Sequence, residues 1–213
     1  MRIFRPCFIA GWIFPEAIFR IKTDEKFICL TFDDGPDPAS TPVLLEILGR
    51  HNIKALFFCT GRKAENHPSL MTRILSEGHL TGNHTWSHLN GWTTSVKNYM
   101  EDAEKASAVS SDKWFRPPFG RLRYFQYYRL KKKYRILFWD IMPYDFDVSF
   151  APEDSLKVLL KKTRPGSIIV LHDNAMSSSA VYLESFLMEV KLRGYRFVLP
   201  ESTSGSFQPM EDQ

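Results

Sequence analysis

Leu30-Thr31-Phe32-Asp33-Asp34-Gly35-Pro36 joins an apolar run to two adjacent carboxylates and a Gly-Pro stop. The residues before it, Phe27 to Phe32, are apolar or β-branched and have the length of a buried strand. Gly35 permits a tight turn, and Pro36, lacking an N–H, stops the strand from continuing. Two acids at the mouth of an apolar strand are costly unless a positive charge lies between them or one stays protonated. A bound metal would meet that need; a solvated Asp-Gly turn is the alternative. The rest of the chain decides between them.

Working outward, Thr41-Pro42 reads as an N-cap and first-turn proline of a helix carrying Val43, Leu44, Ile47 and Leu48. A second strand, Lys54 to Cys59, ends at Thr60-Gly61, and a helix follows from Pro68 to Glu77. A short strand from His79 to Gly82 leads to Asn83-His84-Thr85-Trp86-Ser87-His88 and a polar helix through Ser110. Strand four, around Trp114-Phe115, enters Arg116-Pro117-Pro118-Phe119-Gly120. Strand five is Arg135 to Trp139, and Pro152 with Glu153 and Asp154 opens the next helix. Strand six, Ser167 to Leu171, ends at His172-Asp173; a helix from Ala180 to Arg193 and strand seven, Tyr195 to Leu199, complete the series. This alternation of strand and helix, at spacings of roughly thirty residues, is that of repeated βαβ units. Right-handed crossovers would curl such a parallel sheet into a barrel or leave it doubly wound.

The chain of 213 residues is long enough for one large domain with a substantial core. Its 44% hydrophobic and 24% charged residues are those of an ordinary globular protein. A net charge of +4 with scattered basic residues gives no footprint for nucleic acid. The one basic cluster, Arg129 to Arg135, reads as the solvated end of a helix. Cys7, Cys29 and Cys59 match no zinc or redox spacing, and the latter two lie within strands as small hydrophobes. Cys7 to Phe19 is apolar behind Arg2 and Arg5, but Pro15 and Glu16 interrupt it and no cleavage pattern follows. It is too short to span a bilayer, which needs ~20 apolar residues. Residues 1–26 are therefore expected to pack on a domain of residues 27–199, with residues 200–213 a polar tail. Weak membrane-surface association through Trp12, Phe14 and Phe19 is the alternative for the first segment. The compartment stays open, with the cytoplasm or a membrane surface favoured over secretion.

The chemistry-bearing residues fall at corresponding places. Asp33 and Asp34 follow strand one, His84 and His88 strand three, Arg116 strand four, Asp140 and Asp145 strand five, and His172 strand six. Parallel α/β folds bind ligands at the C-terminal ends of their strands. His84 and His88 have the spacing that sets two imidazoles on one face of a helical turn. Thr85 stands where a zinc protease would carry Glu, so the base must come from elsewhere, and the opening carboxylates can supply it. One Asp with two His leaves coordination positions open, as in catalytic metal sites. His51, His67 and His79 are given no role.

Thr31-Phe32-Asp33-Asp34-Gly35-Pro36, His84-Thr85-Trp86-Ser87-His88, Arg116-Pro117-Pro118-Phe119-Gly120 and Leu171-His172 together resemble the polysaccharide deacetylases of the NodB-homology group, carbohydrate esterase family four. The likeness runs in order over residues 27–199. It implies a single-domain α/β fold, a distorted (β/α) barrel of about seven parallel strands. Carried over by motif, it implies Asp33 as general base and Asp34, His84 and His88 as metal ligands. It further implies Arg116 as orienter of the base, His172 as general acid, and the Phe119 N–H beside the oxyanion. Leu171 belongs to the same substrate-facing motif. The segment after strand five departs from the family pattern. Asp145 stands where an aspartate tunes the acid, but Phe146 replaces a tryptophan and Met142 an earlier aspartate.

The implied activity is metal-dependent hydrolysis of N-acetyl groups on an amino-sugar polysaccharide or oligosaccharide: chitin-like, peptidoglycan or poly-N-acetylglucosamine. The implied cofactor is one divalent ion, zinc first, with cobalt or another divalent ion also suiting the ligands. Trp86, Phe119 and Tyr144 are candidates to stack on sugar rings. The competing readings are a related hydrolase of O-acetyl esters or small C–N substrates, and a carbohydrate-binding protein on an inactive scaffold.

Overall fold

The computed structural model describes residues 2–6, 9–110, 113–201 and 207–209. In chain order they form α1 (Ala10–Ile13), β1 (Phe27–Asp33), α2 (Thr41–Arg50), β2 (Leu56–Cys59), α3 (Gly61–Asn66), α4 (Pro68–Ser76) and β3 (Leu80–Asn83). Then come α5 (Val96–Ser107), β4 (Trp114–Phe115), α6 (Tyr124–Leu130), β5 (Arg135–Ile136), α7 (Pro152–Lys162), β6 (Ser167–His172), α8 (Ser179–Leu192), β7 (Arg196–Pro200) and β8 (Phe207–Pro209). Successive side chains of a strand point to opposite faces. In β1, Ile28, Leu30 and Phe32 join the core cluster that includes Leu44 and Leu48 of α2 and Leu183 and Phe186 of α8. Phe32 stacks on Phe57 of β2 with ring centroids 5.0 Å apart; burying a ring of that size is worth ~1.5–3 kcal/mol. The alternate residues face the barrel interior: Cys29 packs there with Leu56, Phe58, Trp114 and Ile168, and Thr31 and Asp33 meet Arg116.

β1 lies parallel to β2 through Thr31–Asp33 and to β6 through Ile28–Asp33. β2, β3, β4 and β5 follow in parallel order. Ladder pairing of strand five covers only Arg135 and Ile136, short of the expected Trp139, for a physical reason. The Arg116 guanidinium takes the carbonyls of Leu137 and Phe138, while Leu137 bridges Ile18. The chain then crosses to β6, where Ile141 bridges Ile169. The sheet thus curls from β4 back to β6 as a distorted, mostly parallel barrel.

The N-terminal segment folds onto this frame. The rings of Phe14 and Phe19 stack on Phe138, whereas Trp12 is 83% exposed; Cys7 lies outside the described residues. Arg2 pairs with Asp147, and the Phe4 carbonyl accepts from the Met142 N–H. The tail is more than polar: β8 pairs antiparallel with β7. α3 is an element that a reading of Thr60-Gly61 as a strand stop misses. Gly61 is required there because a Cβ would lie 2.5 Å from the Trp86 ring.

Candidate active site and metal centre

β1 delivers its last inward residue, Asp33, to the rim. Asp33 Oδ1 accepts from Arg116 Nη1 at 2.7 Å, and the same nitrogen donates to Thr31 Oγ1. With Nε on the Leu137 carbonyl and Nη2 on that of Phe138, the fully buried guanidinium is hydrogen-bonded at every nitrogen. Its plane lies over the Phe58 ring at 4.2 Å. Such a fork fixes a carboxylate in direction as well as distance. One oxygen of Asp33 is so held, and Oδ2 lies 4.0 Å from His84 Nε2.

Asp34 leaves the strand at φ 77, a left-handed conformation that aspartate tolerates better than most residues. Its side chain consequently turns to the loop after β3. Asp34 Oδ1 lies 3.1 Å from His88 Nε2 and 3.6 Å from His84 Nε2. Asn174 Nδ2 donates to the other oxygen at 3.0 Å. Burial opposes ionisation of Asp34, but hydrogen bonds from His84 and His88 outweigh it and hold the carboxyl well below its usual range.

The two histidines do not share a helical turn. Thr85 and His88 both have positive φ, and the loop is shaped by side-chain caps. Asn83 Oδ1 accepts from the Thr85 N–H, and Asp102 Oδ2 from those of Trp86 and Ser87. His84 Nδ1 donates to the Arg116 carbonyl at 2.8 Å, which makes Nε2 the nitrogen directed at Asp34, and a bound cation would replace its proton. One donor atom each from Asp34, His84 and His88 lies within 4.8 Å of the others. One carboxylate, two imidazoles and an oriented second nitrogen fit a catalytic divalent cation.

Across the cleft, His172 ends β6. Asp145 Oδ1 bonds to His172 Nδ1 at 2.9 Å, while Oδ2 accepts from the His172 backbone N–H and Ser177 Oγ. Burial disfavours the imidazolium, but the adjacent Asp145 charge and its hydrogen bond outweigh that, with Asp34 and Asp33 adding to them. His172 is thereby pushed up to about 9. Phe146, the departure from the tryptophan pattern, sets its ring against His172 at 4.8 Å. The cleft of about 380 Å³ is walled by Phe119, Trp139, Met142, Tyr144, Phe146 and Val170. Phe119 (φ 59) lies edge-to-face on His88 at 4.5 Å. The Tyr144 hydroxyl is bonded to both the N–H and the carbonyl of Ile3, so the N-terminal segment braces this wall.

Three sequence expectations are corrected by position. Leu171 is the outward residue between Val170 and His172 and belongs to the helix-facing core, away from the cleft. Trp86 is 7% exposed, wedged against Gly61 with Lys105 Nζ 3.8 Å above its ring. It borders the neighbouring depression beside Arg62 and Lys63 and is not among the residues that wall the cleft. Asp140 sits beside Ile168, low on β6, and bonds to Arg164, Ser167 and Arg5. Conversely, Asn174 and Ser177 escaped the sequence reading. Their signal was position alone, in the loop that begins at His172.

The family model described as Polysaccharide deacetylase matches residues 20–136. The chain belongs to the polysaccharide deacetylase family. It is 34% identical over 190 residues to a peptidoglycan-N-acetylglucosamine deacetylase of Bacillus cereus, covering 84% of this chain and 89% of that protein. A chitooligosaccharide deacetylase of Azorhizobium caulinodans is 34% identical over 172 residues, 76% of this chain and 80% of its own. A crystal structure of a peptidoglycan N-acetylglucosamine deacetylase bound to a naphthalenyl N-oxidanyl-benzamide superposes with TM-score 0.83 and 29% identity. That match covers 94% of this chain and 99% of the other. As a polysaccharide deacetylase, the chain is a hydrolase acting on N-acetylated carbohydrate.

Proposed function

We propose that this polysaccharide deacetylase removes acetyl groups from N-acetylglucosamine units of a peptidoglycan-type glycan, with one zinc ion held by Asp34, His84 and His88. The observation that carries the reading is the opposition of two clamped groups across one cleft. Asp33 is fixed by Arg116, and His172 by Asp145. Amide hydrolysis needs such a pair, because the water must lose a proton and the amine must gain one. A divalent cation held by the three ligands would supply Lewis acidity toward the acetyl carbonyl and lower the pKa of the attacking water. Asp33 takes the water's proton on Oδ2, the oxygen that Arg116 leaves open. His172, with Nδ1 committed to Asp145, delivers a proton from Nε2 to the departing nitrogen. Tyr144 and Phe119 offer rings to the sugar and exclude water from its flanks.

Acetate release from peptidoglycan, chitooligosaccharides, poly-N-acetylglucosamine and acetylated xylan, with and without chelator, tests the reading. The N-acetylated glycans should yield acetate, chelator should abolish it, and zinc should restore it. Acetate from xylan alone would overturn it.

Replacing both His84 and His88 by Ala should remove the metal while far-UV circular dichroism persists. Stoichiometric metal in elemental analysis of that variant would refute the ligand assignment.

Asp145→Asn tests the tuning of the acid. Losing the carboxylate charge removes the largest of the influences that raise the His172 pKa, so the imidazolium is lost at lower pH. The basic limb of the kcat profile should move to lower pH, with activity at pH 6 retained better than at pH 8. A uniform loss at every pH would contradict this role.

A further inference from the structure

The wall of the cleft continues beyond the metal ligands, through Phe119, onto a ledge whose other members, Trp92 and Arg121, have no part in the reaction described above. Trp92 and Phe119 are 58% and 57% exposed there. Arg121 stands between them, its guanidinium carbon 4.9 Å from the Trp92 ring centroid and 5.9 Å from that of Phe119. The backbone beneath is anchored. Arg123 donates to the Trp92 carbonyl, and Gln126 donates to the carbonyls of Gly91 and Thr94 and accepts from the Arg123 N–H. Gly120 (φ 63) seats the turn against Trp139, where a Cβ would lie 2.4 Å from the ring. Fixed backbone thus presents two exposed rings and one cation to solvent, and Arg121 has no carboxylate partner among the described residues. Arg121 and Phe119 also line the catalytic cleft, so the ledge is continuous with the place of the reacting sugar.

We infer that Trp92, Arg121 and Phe119 form a second sugar subsite, which takes the neighbouring residue of the glycan and selects one bearing a carboxylate. This rests on the amino-sugar reading above. The rings stack on the apolar face of a pyranose, and Arg121 offers parallel N–H donors to a carboxylate substituent. A Lys at this position would offer charge without the fork.

The test compares acetate release by the zinc-loaded full chain from two tetrasaccharides. One is all N-acetylglucosamine; the other alternates it with its 3-O-lactyl ether. The wild type should favour the lactyl oligomer in kcat/KM, mainly through KM. Arg121→Gln should lower that preference about fivefold, the size of a partly exposed ion pair, and Arg121→Lys should restore part of it. Raised salt should shrink the preference in the wild type and in Arg121→Lys but not in Arg121→Gln. Calorimetric affinities for the two deacetylated oligomers should show the same ratio independently of turnover. A preference unchanged in Arg121→Gln, or a wild type favouring the neutral oligomer, would overturn the subsite. Acetate from neither oligomer would instead overturn the N-acetylglucosamine reading of the substrate, with the affinity ratio still deciding the subsite.

Discussion

Asp33→Asn should keep its metal and lose about 10²–10⁴-fold in turnover, the usual worth of a general base. The substitution is isosteric, and the amide oxygen it introduces can still accept from Arg116. What disappears is the one oxygen free to take a proton from water. Stability should fall as well, because the guanidinium of Arg116 is fully buried and loses its counter-charge. Stripping one partner from a buried pair costs ~3–5 kcal/mol, although Thr31 and two carbonyls still hold the guanidinium and soften the loss. Metal content and turnover should therefore be measured well below the lowered melting temperature. Loss of the metal with turnover of the reloaded enzyme intact would exchange the roles of Asp33 and Asp34.

His172→Ala should cut hydrolysis of an N-acetyl sugar by ~10²-fold or more yet spare much of the hydrolysis of an activated aryl acetate. An amine cannot leave a tetrahedral intermediate as its anion, so the amide substrate depends on a proton donor. A phenolate leaves without one. The geometry gives His172 that role because Nδ1 is committed to Asp145 and the ring edge faces the cleft. Metal content should not change. Comparing kcat/KM on the two substrates for the same variant checks the assignment, and equal losses would remove it.

Much of this site was legible because two simple periodicities govern it. Parallel strands bring their C-terminal ends to one rim, and alternation turns every second residue inward. Asp33 and His172 follow from those rules, and Arg116 from its place just after β4. The errors arise where the rules stop. Leu171 has the right motif but the wrong parity. Asp140 follows a strand whose ladder has already ended, because Arg116 takes its carbonyls, so counting from the strand places it too high. His84 and His88 converge through a loop held by Asn83 and Asp102, and no helical spacing describes that. α3 was hidden because Gly61, needed for the approach of Trp86, looks like a terminator. Phe146 shows the reverse: a departure from the family pattern that keeps an aromatic edge on the acid.

Arg116 ties the aim of the base to the closure of the barrel. Its four hydrogen-bond acceptors come from β1 and from the two residues that continue strand five, segments more than a hundred positions apart in sequence. The segment after β5 is joined to β6 by an isolated bridge instead of a full ladder, so this seam is the place for the wall to part first. On gentle heating or in mild denaturant, catalysis should fade before helical signal or tryptophan burial changes. Turnover then serves as a gauge of whether the seam is shut, and a covalent staple across Ile141 and Ile169 would extend the working range of the enzyme more than its melting point.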